Sequence, residues 1–161
     1  VHSNGFSLVR NVLEKAGADE STRYGPANRS LINDLLKPTQ LYPALVQALL
    51  KNNIPLNGMA HITGGGLPEN LPRCLPDGCQ ARLFPDSWPR PALFDWLQTA
   101  GEIPEIDLWN TFNLGIGFCL VVPPEGIDSA VAICRETGHE AWKIGAIEAS
   151  QAEEGLLGIP S

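Results

Sequence analysis

Apolar residues recur along this chain at two spacings. Helical spacing places Leu8, Val9, Val12, Leu13 and Ala16 on one face of Phe6–Ala16, and Gly17 supplies the stop. Ser30 is placed to cap a short helix over Leu31–Leu36 that Pro38 ends. Pro43 opens a helix through Leu50, with Leu45, Val46, Leu49 and Leu50 inward. Further helices are expected over 71–75, from Pro91 to Thr99, from Pro104 to about Thr111, and over Glu125–Glu136, where Ile127, Ala130, Val131 and Cys134 share a face. Strand-like runs cover 57–62, 80–84 and 141–147, and the strongest is Leu114–Val122, bounded by Pro123-Pro124. Residues 17–29 are polar and turn-rich. Helices and a few short strands are intermixed without internal repeats, so the expected class is α+β, a mixed sheet covered by helices.

Composition narrows the reading. The 161 residues fit one domain, and 43% hydrophobic residues suffice for a core. Residues 1–100 carry 9 basic and 8 acidic side chains, whereas residues 101–161 carry 2 and 10. A chain of net charge −7 lacks the basic footprint that duplex nucleic acid requires. No run approaches the roughly 18 apolar residues of a membrane-spanning helix. The late acidic residues read as a solvated face. Trp88, Trp96, Trp109 and Trp142 read as core or interface anchors. Cys74, Cys79, Cys119 and Cys134 form no C-x-x-C pair and have no ligand spacing with His2, His61 or His139, so they read as buried free thiols of a reducing compartment and no metal site is assigned. The chain opens on a loop-like run after Val1, which suggests a piece of a longer protein. Residues 150–161 are expected to form a flexible tail.

Three stretches can carry chemistry. In His61-Ile62-Thr63-Gly64-Gly65-Gly66, a buried strand runs into three glycines and a helix start, a backbone arrangement suited to a phosphate. It lacks the lysine of a Walker loop, and a ligand-free strand-to-helix turn fits the same residues. His61 ends the strand, placed to donate to a phosphate or a reacting oxygen, and a satisfied core histidine is the alternative. In His2-Ser3-Asn4-Gly5-Phe6-Ser7-Leu8-Val9-Arg10, Ser3 or Asn4 is placed to cap the first helix. Ser7 and Arg10 share a face, and Arg10 suits a phosphate or carboxylate. In Phe112-Asn113-Leu114-Gly115-Ile116-Gly117, alternating glycines mark a close approach or a bulge, and Asn113 stands where loop meets strand.

Taken in register, these stretches resemble the C-terminal domain of the aminoimidazole ribonucleotide synthetases, also called phosphoribosylformylglycinamidine cyclo-ligases. Glu69-Asn70, Pro72-Arg73, Trp96-Leu97-Gln98 and Trp142-Lys143-Ile144-Gly145 fit as well. The resemblance covers residues 1–149. It implies the ATP-dependent closure of the imidazole ring of formylglycinamidine ribonucleotide in purine synthesis, giving aminoimidazole ribonucleotide, ADP and phosphate. It further implies a cytoplasmic homodimer that uses magnesium, with an N-terminal domain, absent from this sequence, supplying the dimer surface and most ATP and Mg2+ contacts. The present chain alone is then expected to be inactive. On this resemblance Thr63, Gly64, Gly65 and Gly66 hold a phosphate, with Asn70 and Arg10 assisting. His61 stabilises the phosphorylated oxygen or moves a proton, and His2, Ser3, Asn4 and Asn113 face substrate or nucleotide. Other enzymes of the same two-domain architecture remain alternatives: formylglycinamidine ribonucleotide synthetase, selenophosphate synthetase, thiamine monophosphate kinase and a hydrogenase maturation factor. So does a non-catalytic module that binds a nucleotide or a partner protein.

Overall fold

A computed structural model describes residues 1–150 and 156–160. The helices are α1 (Phe6–Ala16), α2 (Leu31–Leu35), α3 (Pro43–Lys51), α4 (Gly66–Asn70), α5 (Ala92–Gly101), α6 (Glu105–Thr111) and α7 (Ile127–Glu136). The strands are β1 (Arg23–Tyr24), β2 (Arg29–Ser30), β3 (Gly58–His61), β4 (Cys79–Leu83), β5 (Phe118–Val121), β6 (Gly145–Ala149) and β7 (Leu156–Leu157). The fold is α+β, with the strands divided among small sheets. β1 pairs with β2, and β3 pairs antiparallel with β5. In the mixed sheet β6-β4-β7, β4 runs antiparallel to β6 and parallel to β7. Of the expected tail, residues 151–155 and 161 lie outside the described residues, while Leu156 and Leu157 form β7.

The helix predictions hold because their apolar faces have somewhere to go. Val9 and Val12 of α1 are buried, and α1 lies along α5. The backbone turns back at Gly17, whose N–H bonds to the Glu14 carbonyl while that of Ala18 bonds to Leu13. The main core gathers Val9, Ile62, Leu67, Leu97, Leu108 and Phe112, each a side chain worth about 2 kcal/mol on burial. A second, smaller core forms where α3 packs on α7 through Leu45, Leu49, Ala130, Ile133 and Cys134. Trp88 and Trp109 meet edge-on at 6.1 Å, and the Trp88 indole N–H donates to the Leu114 carbonyl at 3.0 Å. Trp96 and Trp142 pack against the core from partly buried positions.

Several expectations need correction. Neither Ser3 nor Asn4 caps α1. Gly5 is the N-cap in a left-handed conformation, and the Ser3 hydroxyl bonds to that of Thr39 at 2.8 Å. The strand expected over 114–122 shortens to 118–121, because Leu114 and Gly115 both adopt positive φ and Asn113 Oδ1 accepts from the Gly115 N–H at 3.1 Å. The 71–75 helix is a 3-10 turn at Pro72–Cys74, and the last strand is shifted to 145–149. The polar 17–29 stretch hides the β1–β2 hairpin. Glu105 is no solvated acid. Its carboxylate accepts from Arg90 (2.7 Å), Gln98 (2.7 Å) and Trp109 (3.0 Å). Those bonds outweigh the cost of burial and hold its pKa low. All four cysteines are free, Cys119 and Cys134 buried, Cys74 and Cys79 partly so.

Candidate functional site

The three motif stretches, far apart in sequence, meet at one junction. Strand β3 delivers His61 to the junction, and the Ile62 N–H then bonds to the Gly117 carbonyl at 3.0 Å. At Gly66 the chain turns with φ +58°, where a Cβ would collide with the carbonyl oxygens of Trp109 and Phe112. The third glycine thus locks the 61–66 stretch onto the end of α6 and the start of the 112–117 loop. Gly5 closes the third side, since a Cβ there would strike Phe112 and Thr111. The N-terminal stretch therefore lies across both loops.

Within the 63–66 turn the glycines have different surroundings. Gly66 is walled in by backbone, and a Cβ on Gly65 would strike the Glu69 side chain. Gly64 is exposed, and a Cβ there would meet only Asn4 Oδ1 at 4.0 Å. The Gly66 N–H donates to the Thr63 carbonyl at 3.1 Å, which leaves the N–H groups of Gly64 and Gly65 as the open donors of the turn. Asn70, buried, holds the turn from behind. Its amide donates to the Gly64 (3.1 Å) and Gly66 (2.7 Å) carbonyls, and its Oδ1 accepts from the Thr63 hydroxyl at 3.2 Å. Asn113 likewise is buried and shapes its own loop. Both asparagines therefore position backbone.

Imidazoles and aromatic rings border the turn. His61 is exposed, and its ring makes no hydrogen bond within the described residues. It approaches Tyr42 edge-on at 5.7 Å and Phe118 at 6.2 Å. His2 is half-buried over Gly117, with Nδ1 buried and without a hydrogen-bond partner. Burial first, with His61 adding to it, lowers the His2 pKa, so its neutral form is favoured. Arg10 stands apart, exposed on α1 with no ion pair or hydrogen bond among the described residues. A second cleft nearby is lined by His2, Arg29, Asp34, Lys37 and Asn113, but its two cations are neutralised in part by Asp34. Sequence reading missed Tyr42 and Thr39. The only signal for them was an aromatic residue just before the helix-opening Pro43.

A family model described as "AIR synthase related protein, C-terminal domain" matches residues 1–157. The chain belongs to this family. Its curated relatives include the phosphoribosylformylglycinamidine cyclo-ligase of Parasynechococcus marenigrum (strain WH8102), 64% identical over 99% of this chain. Proteins of the same name from Synechococcus sp. (strain CC9311) and Prochlorococcus marinus (strain NATL1A) are 60% and 56% identical over its full length. The chain spans about half the length of these relatives, 47% in each case. The junction of this AIR synthase-related domain offers open backbone donors and two imidazoles, a set suited to oxyanions. Among the described residues no three histidine, cysteine, aspartate or glutamate side chains converge. No helix among the described residues is long and apolar enough to cross a membrane.

Proposed function

We propose that this domain is the C-terminal part of an ATP-dependent phosphoribosylformylglycinamidine cyclo-ligase. The observation that carries the reading is the 64% identity to a protein of that name across 99% of the chain. The remaining half of the protein, on the N-terminal side, would supply the dimer surface and most contacts to ATP and Mg2+. The whole would act as a cytoplasmic homodimer, with the present domain closing the cleft over a phosphorylated substrate.

In this reading the open N–H groups of Gly64 and Gly65 receive a phosphate, and Thr63, Gly66 and Asn70 hold the turn in that shape. His61 lies beside them, placed to donate to the activated formamide oxygen or to take the proton released on ring closure. His2, Ser3 and Asn4 bound the same space, and Asn113 sets the 112–117 loop against it. The barrier is lowered by positioning and charge stabilisation, with no covalent intermediate on the chain. Arg10 enters only if the remaining half of the protein brings an anion to α1.

The test is the protein at the length of its relatives. The wild type should convert formylglycinamidine ribonucleotide to the aminoimidazole product with consumption of ATP, and His61→Ala should lose about a hundredfold or more in kcat. An inactive full-length protein, or a His61→Ala variant that turns over normally, would sink the assignment.

A further inference from the structure

Tyr42 sits at the start of α3, held on three sides by rings. Phe118 stacks on it at 4.7 Å with the planes 29° apart. His61 meets its edge at 5.7 Å, and His139 lies against it at 5.5 Å. A phenylalanine would satisfy all three contacts. The hydroxyl is therefore the part of Tyr42 that packing does not explain, and it makes no hydrogen bond within the described residues. Its direction is set by the fixed ring. It points at Gly117, where an added Cβ would collide with Tyr42 Oη and with the His2 imidazole. Two polar groups, the phenol and His2 Nδ1, thus share one small space; His2 Nδ1 is buried without a partner, and the phenol bonds to none of the described residues. Both also line a cavity of about 450 Å3 between β5, α7 and the 138–147 segment. A buried polar atom without a partner, such as His2 Nδ1, is costly unless a ligand completes it.

We propose that Tyr42 is a further substrate-contacting residue, its O–H donating to an acceptor oxygen of the phosphorylated substrate bound beside His2. Gly117 is glycine because the donor occupies the place of its side chain. Burial, with a smaller contribution from Cys119, pushes the phenol up to about 12, so it stays a protonated donor at every physiological pH. The inference rests on the cyclo-ligase reading above and adds a residue that neither motif nor spacing marked.

The experiment compares Tyr42→Phe with the wild type in the full-length protein, measuring formylglycinamidine ribonucleotide binding by calorimetry alongside kcat and KM. The variant keeps the ring stack, so its melting temperature should be unchanged. Its kcat/KM should fall about 10- to 100-fold, and substrate affinity should weaken with it. Gly117→Ala should cost activity as well, and less in the Tyr42→Phe background, where the clash with oxygen is gone and only that with His2 remains. Wild-type kinetics in Tyr42→Phe would overturn the inference while leaving the cyclo-ligase reading intact. A loss confined to stability would do the same. A wild type that neither binds nor converts the substrate would overturn both.

Discussion

Two polar regions of this domain are built on opposite terms. At the β1–β2 hairpin, the buried carboxylate of Asp34 accepts from the Tyr24 hydroxyl at 2.6 Å and from Arg29 at 2.6 and 2.7 Å, and it pairs with Lys37 at 2.7 Å. At the junction of the 1–5, 61–66 and 112–117 stretches, His2 Nδ1 is buried without a partner, and the His61 ring, the Tyr42 hydroxyl and the Gly64 and Gly65 N–H groups bond to none of the described residues. The first region spends its polar groups on holding the chain together. The second holds itself together with glycines packed on backbone and leaves its polar groups unspent. Folding alone disfavours leaving a buried atom such as His2 Nδ1 unpaired, because that costs free energy. The second makes sense where something else completes the bonds.

The largest effect should come from breaking the glycine scaffold. Gly66→Ala forces a Cβ into the Trp109 and Phe112 carbonyls at a left-handed φ. A cost of about 3 kcal/mol or more is expected, read as a collapse of the thermal melting point. The next effect belongs to the hairpin. Asp34→Asn should lower the melting temperature by about 3–6 °C, and it should also change the acid limb of stability. Chiefly through the bonds from Arg29, the Asp34 carboxyl is held well below the usual carboxylate range. Its contribution is therefore fully present above the unfolded value of about 3.9 and is lost as pH falls from there towards the folded value. Denaturation curves of the variant should be flatter below about pH 4.

A smaller effect separates the junction from the hairpin by its pH window. His2 has a folded pKa below 6.5 because burial disfavours its cation. Protonation then favours the unfolded chain, so the contribution of His2 holds above about pH 6.5 and erodes as pH falls towards the folded value. His2→Gln should remove that slope and leave stability at pH 8 within about 1 kcal/mol. The smallest change in stability is expected at Gly64→Ala, within about 0.5 kcal/mol, because its Cβ meets only Asn4 at 4.0 Å. The same substitution should weaken substrate binding, as the methyl group enters the space assigned to the phosphate. A Gly64→Ala variant with unchanged affinity would move the phosphate elsewhere.

The sequence made much of this legible, and the gaps have physical causes. Helical periodicity located α1, α3, α5 and α7, because each buries one continuous face. The strand over 114–122 was over-read, since an apolar run does not reveal that Leu114 and Gly115 leave β geometry. The hairpin at 23–30 was hidden because its stability comes from Asp34 and its cations, which carry no period. The three motif stretches were visible as glycine patterns, and their meeting was not, since each contact at the junction links residues dozens of positions apart. Which glycine serves packing and which stays open was likewise invisible. Gly64 and Gly66 are identical in sequence, yet only Gly66 turns at positive φ with the end of α6 packed beside it. Tyr42 escaped notice because nothing local distinguishes it from a core aromatic.

In the reading proposed above, the unpaired groups of the junction belong to a ligand. The three histidines of this chain test it within one molecule. The His139 nitrogens already engage the Thr137 hydroxyl and the Leu41 carbonyl, each at 3.2 Å, whereas His2 Nδ1 and the His61 ring bond to none of the described residues. The measurement is imidazole 15N NMR of the full-length protein, with signals assigned by substitution, during titration with formylglycinamidine ribonucleotide. His2 and His61 should shift on binding by more than His139, whose nitrogens are already engaged. Binding that leaves His2 and His61 unmoved, or moves His139 as much, would contradict the account.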